Sequence, residues 1–104
     1  MDNTHTLEIL GRTYTLTNYY KFIDGSLHRN VVAGLIKENQ KPYRVAGNYS
    51  LYVNSFPNSA LPYSIYLIAD KRTGNVYSLE VIHGMSNEKE YIKNLVQYLK
   101  EVSA

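Results

Sequence analysis

From Pro62 to His83 the chain reads as two extended runs joined by turn residues. Tyr63, Ile65 and Leu67 alternate with Ser64, Tyr66 and Ile68. Tyr77, Leu79 and Val81 alternate with Val76, Ser78, Glu80 and Ile82. Period-two alternation in aromatic and branched residues is strand patterning. Asp70-Lys71-Arg72-Thr73-Gly74-Asn75 is turn chemistry, with Asp to open the turn and Gly to accept positive φ. A β-hairpin follows, and with it an antiparallel sheet. Pairing the odd positions of both strands predicts one apolar face, Tyr63-Ile65-Leu67 with Tyr77-Leu79-Val81. It leaves a mixed second face: Ser64, Tyr66, Ile68, Val76, Ser78, Glu80 and Ile82.

The C-terminal segment obeys a different period. Ile92, Leu95, Val96, Leu99 and Val102 fall on one stripe at helical spacing. Gly84 ends the preceding strand. Ser86 or Asn87 is a candidate N-cap, and Asn87 with Glu90 has capping-box spacing. Glu88 and Glu90 at the start and Lys100 near the end suit the helix dipole. This stripe needs a sheet face to dock on, so the fold class is α+β.

The rest of the chain supplies further strands. Leu7 and Ile9, a turn at Gly11-Arg12, then Tyr14 and Leu16 read as a hairpin that extends through Tyr19, Tyr20 and Phe22. Asp24-Gly25 ends it. Tyr43–Ala46 and Tyr49–Asn54 read as short strands around Gly47-Asn48. Ser55–Pro62, with two prolines, is a loop. Between them, Leu27, Val31, Val32, Leu35 and Ile36 mark one helical face over 26–38, with Ser26 as its cap. Gly34 and the paired valines weigh against a helix, and a hairpin is the alternative. The expected architecture is a single domain, 1–104: a mostly antiparallel sheet of about five strands, a C-terminal helix and one further helix over 26–38.

Composition narrows the function. The chain has 104 residues, no cysteine and a net charge of +2. That length buries roughly two-thirds of the unfolded surface without staples. Thiolate chemistry and cysteine-based metal sites are excluded. The N-terminus lacks a signal-peptide pattern and no apolar run nears the ~20 residues of a membrane span. A cytoplasmic protein with no membrane contact is expected. His5, His28 and His83 show no ligand spacing and the six glycines are isolated, so neither a metal nor a cofactor is expected.

Eleven tyrosines and ten asparagines, against two phenylalanines and no tryptophan, are the unusual numbers. Tyrosine supplies large rigid contact area and asparagine adaptable hydrogen bonds, which is paratope-like composition. The leading expectation is a small non-enzymatic inhibitor of the immunity-protein or phage anti-defence type. Its partner would be another protein, such as a toxin or defence enzyme. The candidate contact residues are Tyr19, Tyr20, Phe56, Tyr66, Lys71, Arg72 and Tyr77. On this reading Tyr66→Ala or Tyr77→Ala weakens a complex by roughly 2 kcal/mol. A homodimer that pairs the tyrosine face with itself is a further option. Two alternatives come from other classes. One is a metal-independent ribonuclease built from Glu80, His83, Arg44, Arg72 and Tyr77. The other is a nucleic-acid-binding sheet that stacks bases on exposed rings, although Arg12, Lys21, Lys41 and Arg44 are scattered in sequence.

Overall fold

The computed structural model describes residues 5–31, 34–56, 58, 60–82 and 88–103. The strands are β1 (Thr6–Ile9), β2 (Arg12–Leu16), β3 (Tyr20–Ile23), β4 (Ser26–Val31), β5 (Gly34–Gln40), β6 (Arg44–Ala46), β7 (Tyr49–Phe56), β8 (Tyr63–Asp70) and β9 (Val76–Ile82). One helix, α1 (Glu88–Ser103), follows them. Six strands form a sheet in the order β1-β2-β9-β8-β7-β6, and β3-β4-β5 form a second sheet. Every strand pair is antiparallel. The α+β class and the C-terminal helix stand as expected. His83 and the N-cap candidates Ser86 and Asn87 lie outside the described residues. No helix among the described residues is long and apolar enough to cross a membrane.

The expected helix over 26–38 is instead the β4–β5 hairpin. Asp24 and Gly25 both adopt left-handed φ, at 53° and 78°, which is the pattern of a two-residue type I′ turn. That turn sets Ile23 opposite Ser26, so Ser26 opens a strand rather than capping a helix. The β-branched Val31 and the glycine at 34 then fit extended backbone better than helix. Among the described residues the main sheet has six strands, against about five expected, and three more form the second sheet. A second difference lies earlier. Thr17–Tyr19 break the chain between β2 and β3, which belong to different sheets. Leu10-Gly11 form the first turn, also with positive φ at both residues, and Arg12 already begins β2.

The register of the central hairpin reverses the expected pairing of faces. Ile68 stands opposite Tyr77, Tyr66 opposite Leu79 and Ser64 opposite Val81. Six residues lie between the paired Ala69 and Val76, so odd positions on β8 share a face with even positions on β9. A shift of one residue moves a whole strand's side chains to the other side. The face of Tyr66, Ile68, Tyr77 and Val81 joins Ile9, Tyr14, Leu51, Leu95 and Leu99 in the core beneath α1. The other face, Leu67, Ala69 and Val76, packs with Tyr52 and Leu27, flanked by Tyr20, Phe22 and Ile65. Three layers result: α1, the six-stranded sheet and the three-stranded sheet. The face of Leu67, Ala69 and Val76 is covered over this region by β3 and β4.

The end of α1 is held where the β6–β7 turn passes beneath it. Gly47 has φ +61°, and a Cβ at this position would overlap the side chain of Ser103. The Asn48 amide donates to the Ser103 Oγ at 3.2 Å. Gly47→Ala is expected to destabilise the fold by more than about 1 kcal/mol, since positive φ and steric overlap act together. Urea unfolding of the single variant and of Gly47→Ala/Ser103→Gly checks this. The second change should restore only the steric part.

Candidate interaction surface

The residues singled out from sequence are not gathered into one patch. Tyr66 is fully buried and Tyr77 nearly so, both beneath α1. They are therefore core residues, and truncating them would damage the fold rather than an interface. Tyr20 is half-buried against the Leu27 cluster. Tyr19 is 71 % exposed and borders a cleft of about 480 Å³ with Leu16, Thr17, Asn18, Asn30 and Ser78. Phe56 stacks on Tyr63, with ring centroids 4.9 Å apart. Lys71 and Arg72 sit on the β8–β9 turn, beyond Asp70. Tyr63 and Asp70 are the two ends of β8, about 24 Å apart at strand rise. Phe56 and the Lys71-Arg72 pair thus occupy opposite ends of the sheet. Asp70 engages that turn, accepting from the Arg72 amide at 2.9 Å and lying 3.6 Å from its guanidinium Nε.

The residues of the ribonuclease alternative are also separated. Arg44 aligns with Leu51, Ile68 and Tyr77 across the sheet, on the α1 side. Glu80 aligns with Ile65 and Asn54, on the opposite side. Tyr77 is buried, and His83 lies outside the described residues.

Tyrosines do converge under the first half of α1, in a role the sequence did not suggest. The Tyr14 and Tyr91 hydroxyls bond at 2.9 Å. The Tyr66 hydroxyl donates to Glu88 Oε1 at 2.5 Å. The rings of Tyr66 and Tyr91 stack at 6.1 Å, and the Arg12 guanidinium lies 4.7 Å from the Tyr91 ring centre. Burial pushes the pKa of Tyr14, Tyr66 and Tyr91 above the ordinary phenol value. For Tyr14 the bond to Tyr91 adds to the rise, and for Tyr66 the bond to Glu88 does. Arg12 opposes the rise at all three. These phenols stay protonated at neutral pH. They serve as hydrogen-bond anchors that set α1 on the sheet.

So anchored, α1 forms a groove with the edge strand β6. The groove holds about 460 Å³. Tyr43 and Arg44 form one wall. Ile92 and Val96 are its apolar part on α1, with Lys89, Lys93, Gln97 and Lys100 beside them. At about 100° per residue, Lys89, Lys93 and Lys100 lie within roughly 40° of one another around the helix, over about 16 Å of its length. The Arg44 guanidinium sits 4.4 Å from the Tyr43 ring centre, and its Nη1 donates to the Tyr43 carbonyl at 2.8 Å. Among the described residues, none of these four cations forms an ion pair within 4.0 Å. Glu101 accepts a hydrogen bond from Gln97 at 3.1 Å. The sequence held a partial signal: three lysines beside the apolar stripe of α1. That β6 would bring Arg44 and Tyr43 alongside was not readable.

Raised phenol pKa values have a defined consequence. A phenol whose folded pKa exceeds its unfolded value keeps its proton in the native state while the unfolded chain loses it. The stability it contributes is complete below the unfolded value, near pH 10, and falls as pH rises beyond it. The urea midpoint should hold between about pH 7 and 9 and drop above about pH 10. Tyr14→Phe should cost about 1 kcal/mol at neutral pH through the lost bond to Tyr91. It should also make the alkaline drop shallower. Urea titrations of both proteins across that range check both points.

Comparison of the chain with protein-family models, with curated proteins and with solved structures finds no match in any of the three.

Proposed function

We propose that this chain is a small non-enzymatic inhibitor that docks on a partner enzyme and blocks it, of the immunity-protein or phage anti-defence type. The observation that carries this reading is the α1–β6 groove. It combines an apolar strip, an aromatic wall and four cations without ion-pair partners among the described residues. Aromatic and arginine side chains are the groups that most often anchor protein interfaces. The tyrosine- and asparagine-rich surface adds secondary contacts: Tyr19 beside Asn18 and Asn30, and Phe56 on Tyr63. The contact centre moves accordingly from Tyr66 and Tyr77 to Tyr43, Arg44, Ile92 and Lys93.

A nucleic-acid partner is the second reading, and the row of lysines favours it. The two differ in salt response. Phosphate contacts release counterions and weaken steeply with salt, whereas an interface with an apolar centre weakens less.

Tagged protein incubated with host lysate should retain one stoichiometric protein after nuclease treatment. Arg44→Glu/Lys93→Glu, both at exposed positions, should abolish that retention while leaving the melting temperature within a few degrees. The captured enzyme should lose activity on adding the wild-type chain and keep it on adding the variant. Retention that disappears with nuclease would establish the nucleic-acid reading instead.

A further inference from the structure

The groove's own chemistry specifies what can fill it. We infer that the occupant is an acidic amphipathic α-helix of a partner protein, laid alongside α1 with its carboxylates toward Lys89, Lys93, Lys100 and Arg44. This inference rests on the groove being the docking surface.

Three observations lead to that occupant. The first concerns backbone pairing. β6 is an edge strand, bonded only to β7 in its sheet, and an edge can accept an added strand. Yet β6 has only three residues, follows Pro42 and carries Arg44. These features blunt an edge against strand addition. Recognition must therefore come through side chains.

The second observation is the shape of the apolar strip. Ile92 and Val96 are four residues apart, so they stack one above the other as a ridge on α1. Tyr43 stands across from them, 47 % exposed. A ridge facing an aromatic wall suits the apolar stripe of a second helix. A sugar–phosphate backbone has no apolar stripe to place there.

The third observation is charge. The lysine row runs parallel to the ridge, as flanking charges do beside the seam of two packed helices. Arg44 approaches from the opposite wall. Its guanidinium, held against the Tyr43 ring, offers a planar fork suited to a carboxylate. On the same helix Glu90 lies beyond Gln97, away from the ridge, and Glu101 is hydrogen-bonded to Gln97. Glu88, one turn before Ile92 on the ridge row, is taken up by the Tyr66 hydroxyl, so the cationic row faces the groove while Glu90 and Glu101 lie toward its outer rim. A helix with apolar residues at i and i+4 and acidic residues beside them complements both rows.

A synthetic acidic amphipathic peptide of about 18 residues, five helical turns, is the direct probe. It carries leucines at i, i+4 spacing flanked by glutamates. The controls are the same composition scrambled to remove the stripe, a peptide with lysines in place of the glutamates, and an oligothymidylate of similar length. Binding to the full chain is followed by backbone amide shifts and by anisotropy of a labelled peptide. The acidic amphipathic peptide is expected to shift amides of α1 and of Tyr43–Ala46. Lys89→Glu/Lys93→Glu should weaken it by about tenfold or more, and the lysine peptide should bind that variant better than it binds the wild type. Ile92→Ser, at a half-buried position, should weaken the acidic peptide without changing its salt response.

Equal binding of the scrambled peptide or of the oligothymidylate would overturn the inference, leaving a general polyanion surface. Peptide-induced shifts confined to other elements would overturn it as well. So would concentration-dependent dimerisation through α1, with the groove then filled by a second copy. The docking reading is tested apart from this. A native partner lost on Arg44→Glu/Lys93→Glu, with no peptide binding, would keep the docking reading and reject the helix. Peptide binding alongside an unaffected native partner would reject the docking reading.

Discussion

Strand β8 is buried on both of its faces, and the other layers answer to that constraint. From Tyr66 to Asp70 every residue is buried. A strand that is apolar on both sides is stable only with a layer on each side. One helix can cover only one. The β3–β4–β5 sheet is the second cover, and its Leu27 reaches the cluster of Tyr52, Leu67, Ala69 and Val76. This explains why the segment after Gly25 extends rather than coils. Paired with β3, β4 brings Leu27 beneath the sheet, and on β3 the Phe22 amide donates to the Gly74 carbonyl of the β8–β9 turn at 3.2 Å.

The helix is fixed differently at its two ends. At its start, hydroxyls from β2, β8 and α1 itself meet Glu88 and Arg12 in a partly buried network. Satisfied polar groups of this kind specify orientation more sharply than apolar packing, because a displaced helix would leave them without partners. At its end, Ser103 packs over Gly47, where only a residue without a side chain fits. Held at both points, α1 turns its lysine flank toward β6. The groove follows from the angle at which the helix is held, so Tyr14, Tyr66 and Tyr91 position a surface that they do not themselves form.

Some of this was legible in advance and some was not, and particular residues show why. Gly47-Asn48 and Asp70–Asn75 marked their turns, because positive φ and side-chain capping are local demands. The stripe of Ile92, Leu95 and Leu99 marked α1, because a 3.6-residue period is a local property. Leu27, Val31, Leu35 and Ile36 misled for a related reason. Their spacing is helical, but what decided the segment was the Asp24-Gly25 turn and a distant sheet face in need of cover. Tyr66 and Tyr77 misled because tyrosine suits a core and an interface equally. Their place depends on hairpin register, which a turn of one residue more or less would invert. The groove joins residues some fifty positions apart, and nothing in Tyr43-Arg44 points to Lys93.

Local chemistry, then, was the sequence's own contribution. It established the α+β class, the turns, the period of each secure element and the absence of cysteine chemistry. The tertiary structure decided which face each tyrosine took, that 26–31 and 34–40 would be strands, and which cations would share a groove. The physical reason is the range of the forces. Turn geometry and periodicity act within a few residues. Burial, strand register and charge proximity depend on where the rest of the chain has already gone.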